Sequence, residues 1–305
     1  MKIEAKILAH SISPQGIELL TYELQYPRLI LAELNTHHML TPNSASSRAI
    51  PTKKLIDMVR NYPAKPSRFG ENKPGMQDKG EEYDALIEEV FHKNEYWSCA
   101  ASVAATFAQG FADAGYSKQV CNRLIEPFQW MKTVITGTEW NNFFWLRTDE
   151  DADPTFQELA KIMEKAKKES IPEKLCPGIW HTPYVEHKYN ENGEFEYYYV
   201  LDENGKHVIL STQEAKEISA SCCAQVSYRT LNTRKEKALS IYDKLVNGQK
   251  VHASPFTHQA TPMDETMDLY SDGVTHMDKN HNLWSGNLKG YIQHRQLIKG
   301  NYYEG

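Results

Sequence analysis

The stretch Thr36-His37-His38-Met39-Leu40-Thr41-Pro42-Asn43-Ser44-Ala45-Ser46-Ser47-Arg48 decides how this chain is read. Two imidazoles, five hydroxyls, an amide and a guanidinium fall within thirteen residues. The run is too hydrophilic for a core and too rich in serine for a helix interior, so a loop is expected. Donors in such close succession suit phosphate oxygens and nucleobase edges. The same residues would also make an ordinary polar surface loop ending in an N-cap serine, and chemistry alone leaves both readings open.

Working outward, residues 17–34 are rich in β-branched, aromatic and leucine side chains. They read as a strand ending near Pro27 followed by a helix start, because proline blocks a central ladder but suits a helix entry. On the other side Pro51 opens a short helix to Val59. Residues 61–80, with three prolines and three glycines among many charges, read as a long loop or flap. Helical spacing then predicts one long helix over 81–114, with a possible break at Gly110, and a second over 117–125 with Ser117 as its N-cap and Pro127 as its stop. The small residues near Gly110 would let another helix approach closely. TVITGTEWNNFFWLR (133–147) mixes a short β-like run with a helix over 139–147. Asp153 is placed to cap a helix over 154–169 that has Pro154 at its first position.

Residues 194–210 read as a β-hairpin turning at Asn204-Gly205. Helices are expected over 212–224 and 233–247, the latter closed by Asn247-Gly248. The last 45 residues are loop-rich and aromatic. The expected fold class is α+β, a mixed sheet with long helices, as a single domain over 1–305 with insertions at 61–80 and 190–210.

Composition limits the function. The 305 residues are 24% charged and 40% hydrophobic, with a net charge of −6. That balance suits a globular protein and argues against one that grips duplex nucleic acid. No apolar run reaches membrane-span length, and the first residues lack the layout of a signal peptide. Five irregularly spaced cysteines with no CxxC pair suggest neither a disulfide framework nor structural zinc, so a reducing cytoplasm is expected. Cys121 stands near Arg123, which could lower a thiol pKa. A small core residue is the favoured reading, and Cys121→Ala is expected to stay active.

The 36–48 segment resembles the signature Arg-His-Arg-x-x-Ser-x-Asn-Glu-x-Ser-x-Arg of the flavin-dependent thymidylate synthase family. His37, Asn43, Ser46 and Arg48 match in register, and Thr41 replaces a serine. Thr36, His38 and Ser44 stand where the family has two arginines and a glutamate. Asn122-Arg123-Leu124-Ile125-Glu126-Pro127 resembles the family's Ala-Arg-x-x-Leu-Pro. Asn142-Phe143-Phe144-Trp145-Leu146-Arg147 resembles its Asn-Phe-Phe-x-Leu-Arg. Two further segments are similar but out of order: Ala224-Gln225-Val226-Ser227-Tyr228 and His252-Ala253-Ser254-Pro255-Phe256-Thr257-His258 follow the signature here and precede it in the family. A circularly permuted, phage-type member would show this order, since permutation is tolerated where the old termini lie close together.

The resemblance implies an enzyme that binds FAD, takes reducing equivalents from NADPH and moves the methylene of methylenetetrahydrofolate onto C5 of dUMP. Carried over by position, His37, His38, Thr41, Asn43, Thr138, Asn142, Ser227, His252 and Ser254 would line the FAD. Ser46, Arg48 and Arg123 would hold the nucleotide phosphate, with Glu33, Asn43 and Ser44 also on the nucleotide. Arg147 would sit on the uracil carbonyl and, with Ser46, form the catalytic pair. The resemblance also implies a homotetramer. No nucleic-acid partner, membrane or metal is expected.

Glu33 occupies the place of a glutamine, and several signature charges are lost. These changes motivate a variant in which water quenches the methylene intermediate to give 5-hydroxymethyl-dUMP, with dCMP as a weaker substrate option. Two other classes remain: a metal-dependent hydrolase using some of the twelve histidines, although no HExxH spacing occurs, and a nucleotide-binding homologue without turnover.

Overall fold

The computed structural model describes residues 1–75, 80–227, 231–248 and 251–301; the side chain of Ser227 lies outside that description. The strand read before Pro27 is the middle of a five-stranded sheet. Its members are β1 (Glu4–Ile12), β2 (Glu18–Pro27), β3 (Thr41–Ser44), β4 (Trp130–Gly137) and β5 (Glu173–Lys174), in the order β3-β4-β2-β1-β5. All neighbours are antiparallel except β1 and β5, which run parallel, so the sheet is mixed. Around it lie α1 (Leu31–Leu34), α2 (Thr52–Asn61), α3 (Lys93–Asp113), α4 (Lys118–Arg123), α5 (Asn141–Arg147), α6 (Pro154–Glu169), α7 (Thr212–Ala224) and α8 (Lys235–Val246). The expected α+β class is the one observed.

Alternation along β2 sorts its side chains onto two covered faces. Leu20, Tyr22, Leu24 and Tyr26 point into the main core with Trp140, Phe143 and Phe156. α6 closes this side, burying Phe156, Leu159, Ala160 and Met163. The Asp153 carboxylate caps it as expected, accepting from the amides of Thr155 and Phe156 at 2.9 Å each.

The opposite face is polar where it is most deeply buried. Thr21 and Thr136 lie across from each other on β2 and β4. A chain of hydrogen bonds passes through them: Ser11 to His181 (2.7 Å), His181 to Thr21 (2.8 Å), Thr21 to Thr136 (2.7 Å) and Thr136 to His258 (2.8 Å). All five residues are buried. Burial pushes the His258 imidazole down to about 3, and its Nε2 has no partner among the described residues.

A small antiparallel sheet follows, made of β6 (Glu186–Tyr189), β7 (Phe195–Leu201) and β8 (His207–Leu210). It contains the expected hairpin, with Gly205 at φ +74° in the turn, a conformation glycine adopts without strain. A capping box between Ser211 and Glu214 opens α7. The C-terminal stretch carries short strands: β9 (Ala260–Pro262) pairs with β13 (Tyr291–Gln293), while β10 (His276–Met277), β11 (Leu283–Ser285) and β12 (Leu288–Lys289) form a third sheet. Among the described residues no helix is long and apolar enough to cross a membrane.

Three expectations need correction. The helix expected over 81–114 begins only at Lys93 and runs unbroken through Gly110. The acidic residues before it are drawn elsewhere: Glu82 and Asp84 both pair with the Lys93 ammonium, and a backbone bridge joins Ile87 to Phe91. The polar loop expected over 36–48 contains β3, because β4 offers it an open edge; Pro42 is tolerated there, as prolines are on edge strands. Ser117 has the extended backbone of an N-cap, but its hydroxyl makes no capping bond. The 61–69 part of the flap is fastened, with Ala64 fully buried and its amide bonded to the Phe128 carbonyl at 2.9 Å.

Candidate functional site

Three of the nominated residues meet around one guanidinium. α5 buries Phe143 and Phe144, and the four-residue spacing sets Arg147 on the same side as Phe143. His37 lies in the turn after α1, where its carbonyl accepts from the Leu40 amide at 3.0 Å. Arg147 Nε donates to His37 Nε2 at 2.9 Å. Arg147 Cζ stands 4.7 Å from the centre of the Phe156 ring, and its Nη1 is 4.0 Å from Glu33 Oε2. The His37 ring is itself wedged edge-on between Phe143, at 4.9 Å between centroids, and Phe156, at 6.0 Å.

Electrostatics follow from that packing. Burial, with the neighbouring Arg147 charge, pulls the His37 pKa down to about 4, so the ring is neutral at ordinary pH. Burial raises the Glu33 pKa, with Asp153 adding to the effect and Arg147 opposing it. Arg147 opens onto a cavity of 390 Å³ shared with Trp145, Leu146, Asp149, Asp151 and Ala152. Trp145 is 73% exposed at its lip. The flap reaches the same end of α6: the Ser67 amide donates to Thr155 Oγ1 at 3.0 Å, one residue before Phe156.

The residues nominated for phosphate lie on two segments that are joined to each other. Buried Asn122 donates through Nδ2 to the carbonyls of Ser47 (2.6 Å) and Ile50 (3.1 Å), stitching α4 to the segment that carries Ser46 and Arg48. Ser46 Oγ accepts from the Arg48 amide at 3.3 Å, and Lys118 Nζ donates to the Ala49 carbonyl at 3.4 Å. The Arg48 and Arg123 side chains are exposed, and neither has an ion-pair partner among the described residues. The nearby carboxylate of Glu126 is already paired with Arg28 at 3.0 Å.

The residues nominated for the flavin divide. Three spend their side chains within the chain: Thr41 Oγ1 donates to Asn287 Oδ1 (2.7 Å), Asn43 Nδ2 donates to the Cys223 carbonyl (2.8 Å), and Thr138 Oγ1 accepts from the Lys289 amide (3.1 Å). Ser44, nominated for the nucleotide, likewise shares a hydrogen bond with Thr133 at 2.8 Å. His38, Asn142, His252 and Ser254 are exposed. The late segments come close to the early one: the short turns Gln225–Ser227 and Ser254–Thr257 both pack against β3. Sequence reading does not single out Phe156 as the shelf for Arg147, or Asn122 as the stitch beside Arg48. A buried asparagine just before an exposed arginine leaves no pattern that would find it. Among the described residues no three histidine, cysteine, aspartate or glutamate side chains are grouped to hold a metal ion.

No protein-family model matches the chain, and no curated protein does. Among solved structures it is similar to the UMP/dUMP methylase PolB from Streptomyces cacaoi bound with 5-Br UMP. That match has 16% sequence identity over 54% of this chain and 88% of the other, with a TM-score of 0.41. It is also similar to the flavin-dependent thymidylate synthase ThyX from Helicobacter pylori complexed with FAD and dUMP. There the identity is 18% over 49% of this chain and 67% of the other, with a TM-score of 0.33.

Proposed function

We propose that this chain is a flavin-dependent enzyme that transfers a one-carbon unit from methylenetetrahydrofolate to C5 of dUMP, with NADPH as reductant. The observation that carries the reading is the meeting of Glu33, His37 and Arg147. Signature resemblance nominates them from two segments about 110 positions apart, and they form one contact group beside an open cavity. Permuted family membership is supported in the same way by the packing of the two late turns against β3.

The chain's own residues divide the work. A guanidinium tied at Nε keeps its Nη donors for a ring carbonyl, where fixed positive charge stabilises negative charge developing on the pyrimidine oxygen. The Glu33 carboxylate, beside those donors, suits the N3–H of a uracil. Arg48 and Arg123, exposed on two segments that Asn122 ties together, suit the phosphate, with the Ser46 hydroxyl bonded to the Arg48 amide. Exposed His38, Asn142, His252 and Ser254 fit a flavin held at the surface, and Thr41, Asn43 and Thr138 fit as supports beneath it. The flavin supplies the redox chemistry; the protein supplies position and charge.

A homotetramer belongs to this reading, supported by α3. Residues 96–112 carry no charge, yet Val103, Phe107 and Phe111 are 56%, 64% and 38% exposed. A bare apolar helix face of this kind marks an interaction surface. The test of function is to incubate the protein with FAD, NADPH, methylenetetrahydrofolate and dUMP and weigh the nucleotide. A methyl adduct makes it a thymidylate synthase, and a hydroxymethyl adduct makes it a base-hydroxymethylating variant. Unchanged dUMP with a flavin-free protein overturns the reading.

A further inference from the structure

We infer that His37 is the positioning residue for Arg147, and that it acts through Nε2 as an acceptor, in the tautomer that carries its proton on Nδ1. This rests on the reading of Arg147 as the pyrimidine-binding residue. The geometry excludes other protonation states. Arg147 Nε can only donate, so the Nε2 atom 2.9 Å away must be bare. A proton on Nε2 would set hydrogen against hydrogen, and in the imidazolium it would also set charge against charge.

Edge-on packing against Phe143 and Phe156 fixes the plane of the ring, and the hydrogen bond fixes its flip, because a half-turn would set the carbon Cε1 against Arg147 Nε in place of Nε2. The guanidinium is therefore fixed on three sides: the His37 acceptor at Nε, the Phe156 ring beneath Cζ and the Glu33 carboxylate near Nη1. Of these three, His37 alone contacts Nε. It decides which edge of the guanidinium is spent and which is left for a ligand. This differs from the role the signature resemblance gives His37, which is contact with the flavin. The Nε2 side of the ring is engaged by the protein itself.

Two measurements on the full chain test the assignment. The first is ¹⁵N NMR of the histidine side chains without ligand. Expected is a His37 ring with a protonated Nδ1 and bare Nε2 from pH 9 down to about 5. An Nε2–H tautomer, or titration near the ordinary 6.5, overturns the proposal. The second is dUMP affinity for His37→Gln, His37→Asn and His37→Leu, each checked for an unchanged melting profile. A glutamine amide reaches the Nε2 position, whereas an asparagine amide reaches only Nδ1. Glutamine is therefore expected to bind dUMP within about threefold of the unaltered chain, while asparagine and leucine weaken it about tenfold or more. Full binding by asparagine with loss by glutamine, or equal binding by all three, overturns the proposal. If the unaltered chain fails to bind dUMP, the functional reading falls, and the NMR result alone then decides the role of His37.

Discussion

Thr21 and Thr136 face each other across β2 and β4 with their hydroxyls 2.7 Å apart, and each passes a second hydrogen bond to a buried histidine, His181 or His258. Every member therefore depends on the next for satisfaction. Thr21→Val keeps the shape but leaves His181 Nε2 and the Thr136 hydroxyl each short of a partner. Urea unfolding is expected to show a loss of about 1–3 kcal/mol, because an unmade buried hydrogen bond costs more than a made one gains. The double variant with Thr136→Val should cost less than the sum of the two singles. Strict additivity would mean the two hydroxyls do not cooperate.

Acid should destabilise the fold through its buried histidines. Burial lowers His258 and His294 to about 3 and, with the Arg147 charge, His37 to about 4. The ordinary unfolded value is 6.5, so between those limits the unfolded chain binds more protons than the folded one. Stability from these rings is complete above pH 6.5 and is lost as pH falls towards 3. Fully buried His258 alone accounts for about 3 kcal/mol between pH 6.5 and 4. Melting curves at steps of pH measure this, and a melting temperature flat from pH 7 to 5 contradicts it.

Arg147→Lys should be nearly as damaging as Arg147→Ala. An ammonium has no planar fork to rest on Phe156 while bonding His37 and a ligand together. Turnover on dUMP is expected to fall by about 10²-fold or more, with circular dichroism unchanged. Retained activity in the lysine variant would show that charge alone suffices.

Arg48→Ala and Arg123→Ala should each weaken dUMP about tenfold and leave deoxyuridine binding untouched, because their exposed guanidiniums are assigned to the phosphate. Calorimetric titration of both ligands separates the cases. Equal losses for nucleotide and nucleoside would place these arginines elsewhere.

Phe107→Glu puts a charge in the middle of the bare α3 face. Sedimentation should show a smaller assembly than that of the unaltered chain, since burying the new carboxylate is unfavourable. An unchanged mass would show that α3 is not the contact.

How far the sequence announces these features depends on where the causes lie. α6 is readable because its causes are local: Asp153 before Pro154, then apolar residues at 156, 159, 160 and 163. The hairpin at Asn204-Gly205 and the capping box at Ser211 are readable for the same reason. β3 is not, because Thr-Pro-Asn-Ser has little strand preference of its own and becomes a strand only when β4 presents a free edge. The acidic run over 81–92 looks like one side of a helix until Lys93 gathers its carboxylates. β1 passes unnoticed because its burial alternates poorly. At the site, spacing nominates His37 and Arg147 separately. Their hydrogen bond spans 110 positions and depends on the ring packing that α5 and α6 create together.

The cavity at Arg147 has a polarity with a consequence for anything that enters it. Asp149 and Asp151 share its wall with the arginine. A molecule with a dianionic end and a neutral ring meets repulsion at this mouth if it arrives phosphate first, and a waiting guanidinium if it arrives ring first. On the proposed function, the doorway would sort the two ends of a nucleotide before any specific contact forms, and leave the phosphate outside for the proposed cations to collect.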